Sequence, residues 1–478
     1  MVRRLRVNRF RSHVTLGARA VALVLGTVPP TLCRAGGAAS AASAASAASA
    51  ASAASAVVAA GGASSADAAS SPDTALIARG AYLAKLADCA GCHTNAPTGR
   101  PPKPSPPFAG GLPMGSPFGT IWTSNITPDR VYGIGRYTYD DFERAVREGV
   151  APGGKRLYPA MPFPSFSKIS DDDVHALYAY FMHGVKPVAV PAPETKLPFP
   201  FDQRWALAVW DELYAPHERY APRTDRSAQW NRGAYIVQAL GHCGACHTPR
   251  GPAYEERGFN DGDRLYLTGG TNDHWFAPNL TGDPDSGLGS LSAEDIAAFL
   301  EHGHGAGLQA FGSMVEVVEN SGQYMSDDDL RAIASYLKTL PPRKKSGHID
   351  TDPARNAATV NVLRTGSIEY PGAGVYNAFC ARCHQADGRG VPGKYPRLAS
   401  NPAVVAPHAT SLIRLLIDGG RSPETAGGPK PRRMPSFIGK LNDTEMARVL
   451  TFIRNAWGNE ARPVAPREVK TMREALHR

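Results

Sequence analysis

The chain has 478 residues, 42% of them hydrophobic and 20% charged, with a formal net charge of +9. That length leaves room for about three domains, and the composition excludes a disordered or fibrous chain. The positive charge does not mark a nucleic-acid binder. Residues 1–35 hold seven arginines (Arg3, Arg4, Arg6, Arg9, Arg11, Arg19, Arg34) and no acid, which leaves only +2 for residues 36–478, so no anionic partner is inferred.

Residues 1–35 read as a secretory signal peptide: an arginine-rich start, an apolar run over 20–25 and small residues around Cys33. That run is too short to span a bilayer comfortably, so export is expected in preference to a retained anchor. Residues 36–71 are built on Ala-Ala-Ser triplets with no apolar stripe and read as a flexible tether. No later stretch approaches the ~18 apolar residues of a membrane span.

A first domain is expected over 72–187. It opens with a helix over 75–86 that leads into Cys89-Ala90-Gly91-Cys92-His93. A loop rich in proline and glycine and the stretch Asn125-Ile126-Thr127-Pro128-Asp129 come next. An amphipathic helix over 139–148 and the loop Tyr158-Pro159-Ala160-Met161-Pro162 follow. Ser170 then N-caps a closing helix whose Val174, Leu177 and Phe181 form one buried stripe.

A linker over 188–225 carries Trp205 and Trp210, both read as interdomain packing. The second domain, 226–341, repeats the order of the first. Arg79-Gly80-Ala81-Tyr82 returns as Arg232-Gly233-Ala234-Tyr235, Asn125-Ile126-Thr127 as Asn279-Leu280-Thr281, and the closing helix as Ser326-Asp327-Asp328-Asp329. After a linker over 342–366, a third domain spans 367–457. Residues 458–478 are an unassigned polar tail.

Cys89–His93 recurs as Cys243-Gly244-Ala245-Cys246-His247 and as Cys380-Ala381-Arg382-Cys383-His384. C-x-x-C-H is the attachment signature of c-type haem. On a helical turn, residues i and i+3 share a face, so both thiols reach the vinyl groups of one porphyrin. The adjacent histidine is then placed to ligate the iron. Disulfides would leave the three histidines without a role, and zinc sites usually combine two cysteine pairs within one small module. Three covalently bound haem c groups are therefore expected, attached through Cys89, Cys92, Cys243, Cys246, Cys380 and Cys383. His93, His247 and His384 are the proximal ligands.

The sixth ligand separates electron transfer from catalysis, because a methionine closes the site that an enzyme needs open. Met161 lies 68 positions after His93, Met314 lies 67 after His247, and Met434 lies 50 after His384. These three are taken as distal ligands. Met325 competes with Met314 because it immediately precedes its helix, but its spacing of 78 fits less well. Met114, Met182, His302, His304 and His408 are read as structural.

On Cys89–His93 with Thr94, the stretch 124–129, the loop 158–162 and Ser326-Asp327-Asp328-Asp329-Leu330, the chain resembles a known family over residues 72–457. That family is the three-haem cytochrome c subunit of bacterial membrane-bound dehydrogenases, the group serving alcohol, gluconate and sorbitol oxidation. The expected fold is all-α, three consecutive class I cytochrome c domains. The resemblance implies a flavin- or quinone-cofactor dehydrogenase subunit as electron donor and ubiquinone as acceptor. It also implies peripheral attachment on the periplasmic side of the bacterial cytoplasmic membrane, with no substrate chemistry in this chain. The third domain is further similar to single-domain cytochromes c, in which a proline (here Pro396) presents the carbonyl that accepts the proximal histidine's N–H. No such proline is placed in the first two domains. The alternatives are a free periplasmic shuttle and a haem enzyme with one open iron site.

Overall fold

Side-chain caps start the helices where the sequence places them. Ser170, Ser326 and Asn442 each accept the backbone N–H of the residue three positions on, satisfying a donor the helix itself leaves free. The computed structural model describes residues 72–95, 106–343, 347–367 and 370–476. The expected signal peptide, the tether and Cys33 lie outside these residues.

The chain begins with α1 (Pro72–Leu86), α2 (Cys89–His93), the hairpin β1–β2 (Pro113–Ser116, Gly119–Trp122) and α3 (Tyr139–Glu148). It continues with the hairpin β3–β4 (Val150–Ala151, Lys155–Arg156), α4 (Phe163–Phe166) and α5 (Asp171–Ala179). After α6 (Ala206–Tyr214) come α7 (Ala228–Tyr235), α8 (Gly244–His247), the hairpin β5–β6 (Gly270–Asn272, Trp275–Ala277) and α9 (Ala293–His302). The hairpin β7–β8 (His304–Gly305, Leu308–Gln309), α10 (Ser313–Asn320) and α11 (Asp327–Lys338) follow. The last part holds β9 (His348–Ile349), α12 (Pro353–Thr365), α13 (Ala373–Phe379), α14 (Ala381–His384) and α15 (Thr410–Asp418). It ends with the hairpin β10–β11 (Gly420–Arg421, Arg433–Met434), α16 (Asp443–Ile453), β12 (Asn459–Glu460) and α17 (Pro466–Leu476).

The all-α expectation is corrected. Six two-stranded antiparallel sheets stand among the helices of the described residues, so the fold is mixed α/β. Their strands are two to four residues long, too short for an alternating pattern to register in the sequence. Three of the hairpins follow a helix directly, each across a glycine with positive φ: Gly149 (62°), Gly303 (71°) and Gly419 (77°). Sheet β9–β12 joins residues 348–349 to 459–460, so the expected linker and tail pair with one another.

One apolar core runs without a break from Leu83 and Phe181 to Ile236, Leu240 and Tyr336; a second gathers Tyr376, Met446, Trp457 and Val469. Helix α6 was not expected, and its inner face links the first part's hairpin and α4 to the loop at Ala253. Trp210 meets the Phe163 ring at 6.4 Å and donates to Ala253 O, while Asp211 pairs with Arg156 at 2.9 Å. Trp205 does not pack as expected: it is 71% exposed. No helix among the described residues is long and apolar enough to cross a membrane.

Helices α1 and α5, and likewise α7 and α11, cross in contact at a glycine. A Cβ on Gly80 would lie 1.9 Å from Ala176 O, and one on Gly233 would lie 1.9 Å from Ala332 O. Gly233→Ala should therefore cost about 1–3 kcal/mol through overpacking. Gly374→Ala, where a Cβ meets nothing within 4 Å, should be neutral or stabilise by up to about 1 kcal/mol. Denaturant unfolding of the two variants checks this, and equal effects would refute the steric reading.

Candidate haem-attachment sites

Each motif histidine is oriented by a main-chain carbonyl. His93 Nδ1–H donates to Ser124 O (2.7 Å), His247 Nδ1–H to Pro278 O (2.7 Å) and His384 Nδ1–H to Pro396 O (2.9 Å). A carbonyl only accepts, so the proton sits on Nδ1 and the Nε2 lone pair is left for a metal. Burial lowers the pKa of all three rings, partly offset by these bonds, so they are neutral at pH 7. Pro396 is the acceptor that the sequence indicates. Ser124 and Pro278 were missed, although each lies 31 positions after its histidine, next to the Asn-x-Thr stretch.

The six motif cysteines are free thiols. Burial is the main reason that Cys89, Cys92, Cys243 and Cys380 are pushed up to about 12. Among the described residues no group of three or more His, Cys, Asp or Glu could hold a bare metal ion. Paired free thiols beside a carbonyl-oriented imidazole are the donor set a c-type haem takes, and the residues fit that group.

The loops after the motifs are pinned alike. Asn125 accepts Thr127 N–H and donates to Val188 O and Val190 O, while Asn279 accepts Thr281 N–H and donates to Arg343 O. From histidine to the glycine that ends the next helix is 56 residues in both parts, 93 to 149 and 247 to 303. The hairpins then differ by one residue: Pro152, Gly153 and Gly154 separate β3 from β4, whereas Ala306 and Gly307 separate β7 from β8. Met161 and Met314 each stand five positions beyond the second strand of their hairpin. The spacings of 68 and 67 thus count to the same offset from the hairpin, but the surroundings differ. Met161 stands before α4 and packs against the first core, as does Met325. Met314 lies in α10 and packs with Ala310, Val315 and Val318. Met434 lies in β11, opposite Gly420, and packs against the second core. Met114 is in β1, and Met182 is in the helical turn that continues α5. His302 lies 3.3 Å from Glu301, and His408 meets the Phe276 ring at 5.6 Å.

The first two sites are held together by a reciprocal clasp. Arg79 pairs with Asp173, whose other oxygen accepts Tyr235 O–H (2.6 Å). Arg232 pairs with both oxygens of Asp329, one of which also accepts Tyr82 O–H (2.7 Å). Each aspartate is thus gripped by an arginine from its own part and a tyrosine from the other, an isologous arrangement. Burial alone would push Asp329 up, but bonds from Arg232 and Tyr82 outweigh it and hold it below 3.8. After burial and Asp88, Cys246 is the next influence raising Cys92. The neighbouring Asp88, pushed up to about 8 by burial, keeps one carboxyl oxygen without a hydrogen bond.

Comparison with known proteins follows the same lines. The gluconate 2-dehydrogenase cytochrome c subunit of Pantoea cypripedii is 44% identical over 406 residues, 84% of this chain and 90% of that protein. The cytochrome c subunit of alcohol dehydrogenase (quinone) from Gluconacetobacter polyoxogenes is 45% identical over 81% of each chain. The chain belongs to this family of dehydrogenase cytochrome c subunits. The fructose dehydrogenase cytochrome subunit of Gluconobacter japonicus is 38% identical over 83% of this chain and 82% of its own length.

The family's part is electron transfer through covalently bound haem c, not substrate oxidation. The profile of the cytochrome c family matches residues 370–457 alone, which corrects the expectation of three such domains in a row. The longer loops between histidine and carbonyl, 31 residues against 12, set the first two parts of the subunit apart. In this cytochrome c subunit, Met314→Ala should alter the visible spectrum of one centre and lower its reduction potential, whereas Met325→Ala should leave both unchanged. Spectroelectrochemical titration of the two variants decides it; the reverse pattern would overturn the choice of Met314.

Proposed function

We propose that the chain carries three haem c groups and relays electrons from a flavin- or quinone-cofactor dehydrogenase subunit to ubiquinone. The partner would oxidise an alcohol, gluconate or a similar polyol or sugar acid. Cys89/Cys92, Cys243/Cys246 and Cys380/Cys383 would hold the three groups. His93 and Met161, His247 and Met314, and His384 and Met434 would ligate the three irons. Bound haem supplies a one-electron couple at its iron. The protein's own contribution is orientation and tuning: carbonyls fix the imidazoles, the methionines would complete the iron's ligation and the cores exclude water.

The observation that carries this reading is the clasp, which fixes the parts that hold the first two haem motifs against each other. Proximity of that kind serves passage between centres. A catalyst with one open iron would not need it. Carbon monoxide added to the reduced protein should therefore give no rapid stoichiometric spectral change, and haem content should be three per chain, falling to two in Cys243→Ala/Cys246→Ala. A fast change with carbon monoxide would mean an open iron.

Exported residence on the periplasmic side of the cytoplasmic membrane, with peripheral attachment, completes the proposal. Its support is the outer face of α6 with the turn before it. Phe199 (80% exposed), Trp205, Val209 (55%) and Leu213 (65%) stand outward there, while Asp211 is turned inward. An inverted helix with aromatic residues at its edge suits the headgroup boundary of a bilayer. Trp205→Glu/Val209→Glu should abolish co-sedimentation of the holoprotein with phosphatidylcholine vesicles and leave its visible spectrum unchanged. Undiminished co-sedimentation would rule this surface out.

A further inference from the structure

The near-neutral sum over residues 36–478 hides two opposed charges. Residues 226–341 carry seven Lys or Arg against fifteen Asp or Glu, a net −8, whereas residues 370–457 carry twelve against five, a net +7. Part of that positive charge is spent within the chain. Arg421 pairs with Glu319, and Arg414 pairs with Asp273 and Asp418. Arg454 is buried against the carbonyls of Val404 and Ala406.

Six other cations, Arg382, Lys394, Lys430, Arg432, Arg433 and Lys440, are exposed and have no carboxylate partner among the described residues. They gather around the third haem motif. Arg382 lies between Cys380 and Cys383, and the ring contact of Phe379 with Phe437 (6.1 Å) draws the segment 430–440 against that motif. Gly393, next to Lys394, lies close to Pro429, next to Lys430. Within this ring Phe379 is 44% exposed and Ile438 is 39% exposed. Arg433 also stands opposite Arg421 across β10–β11. A like-charge cross-strand pair is unfavourable, and only Arg421 of the two is neutralised internally.

We propose that this cationic rim with its apolar centre is the surface on which the dehydrogenase subunit docks, through a complementary acidic face. An apolar centre inside a charged rim is how protein interfaces are built, and charge complementarity steers the encounter and fixes register. A redox partner also has to approach an attachment motif, and this surface borders one. The inference rests on the relay reading, which supplies the dehydrogenase as partner.

The test uses the full holoprotein co-expressed with its dehydrogenase subunit. In the triple variant Lys430→Glu/Arg432→Glu/Lys440→Glu, the dissociation constant should rise at least about tenfold and the salt dependence of binding should flatten. The haem spectrum and melting temperature should stay unchanged. The charge-preserving Lys430→Arg/Arg432→Lys/Lys440→Arg should bind as the parent does. If the parent purifies with no dehydrogenase subunit, the relay reading itself fails. If the parent binds and the reversed variant binds equally well with the same salt dependence, the docking surface lies elsewhere. Loss of binding to phosphatidylglycerol vesicles with the dehydrogenase retained would make the rim a lipid-facing surface and overturn the proposal.

Discussion

The structure depends on two buried aspartates that cannot be left alone. Asp173 is 1% exposed and Asp329 is 6% exposed, and an unpaired carboxylate at either depth would be strongly destabilising. Each is satisfied only when the first and second parts of the chain lie against each other, because each needs a tyrosine from the opposite side. The duplication in sequence is thereby turned into a fixed mutual orientation. The continuous apolar core supplies the bulk of the attraction, while the clasp selects one docking among many that would bury similar area. Ser170 and Ser326 take part as well, since each gives its backbone N–H to the same tyrosine oxygen that reaches its neighbouring aspartate.

Much of this was legible in the residues. The helix over 139–148, the serine caps and the haem motifs follow from local signals with a direct physical cause, while the Pro396 carbonyl was reached through the resemblance to single-domain cytochromes c. What escaped notice shares a different property. Ser124 and Pro278 act through main-chain oxygens, which any residue could present, so residue identity marks neither of them. The hairpins are too short to show a period, and their positive-φ glycines looked like ordinary loop glycines. Helix α6 was hidden in a stretch rich in proline and aromatics. Trp210 and Asp211 form its inner face, so the usual rule that charge points outward misplaces it.

Charge shows the same limit. Summed over the chain after residue 35 it is close to zero, and the sum conceals an acidic middle joined to a basic end. The junction between them uses some of the difference, through Arg421–Glu319 and Arg414–Asp273. It also includes Phe276, whose N–H and C=O are both bonded by Ser411. The third part is therefore tied to the second by polar contacts, whereas the first and second share a single apolar core in addition to the clasp. These two kinds of joint differ in what disturbs them: added salt weakens the first kind, and loss of apolar burial weakens the second.

The hairpin loops at 152–154 and 306–307 have a consequence for how such a chain can change. They differ in length, yet the five residues from strand to methionine are the same in both copies. Growth or loss at the tip of the hairpin is absorbed there, because the paired strands cancel it before the chain reaches the methionine. The spacing from strand to methionine is insulated from an insertion in the surface turn, so each copy is free to drift in loop length without changing it.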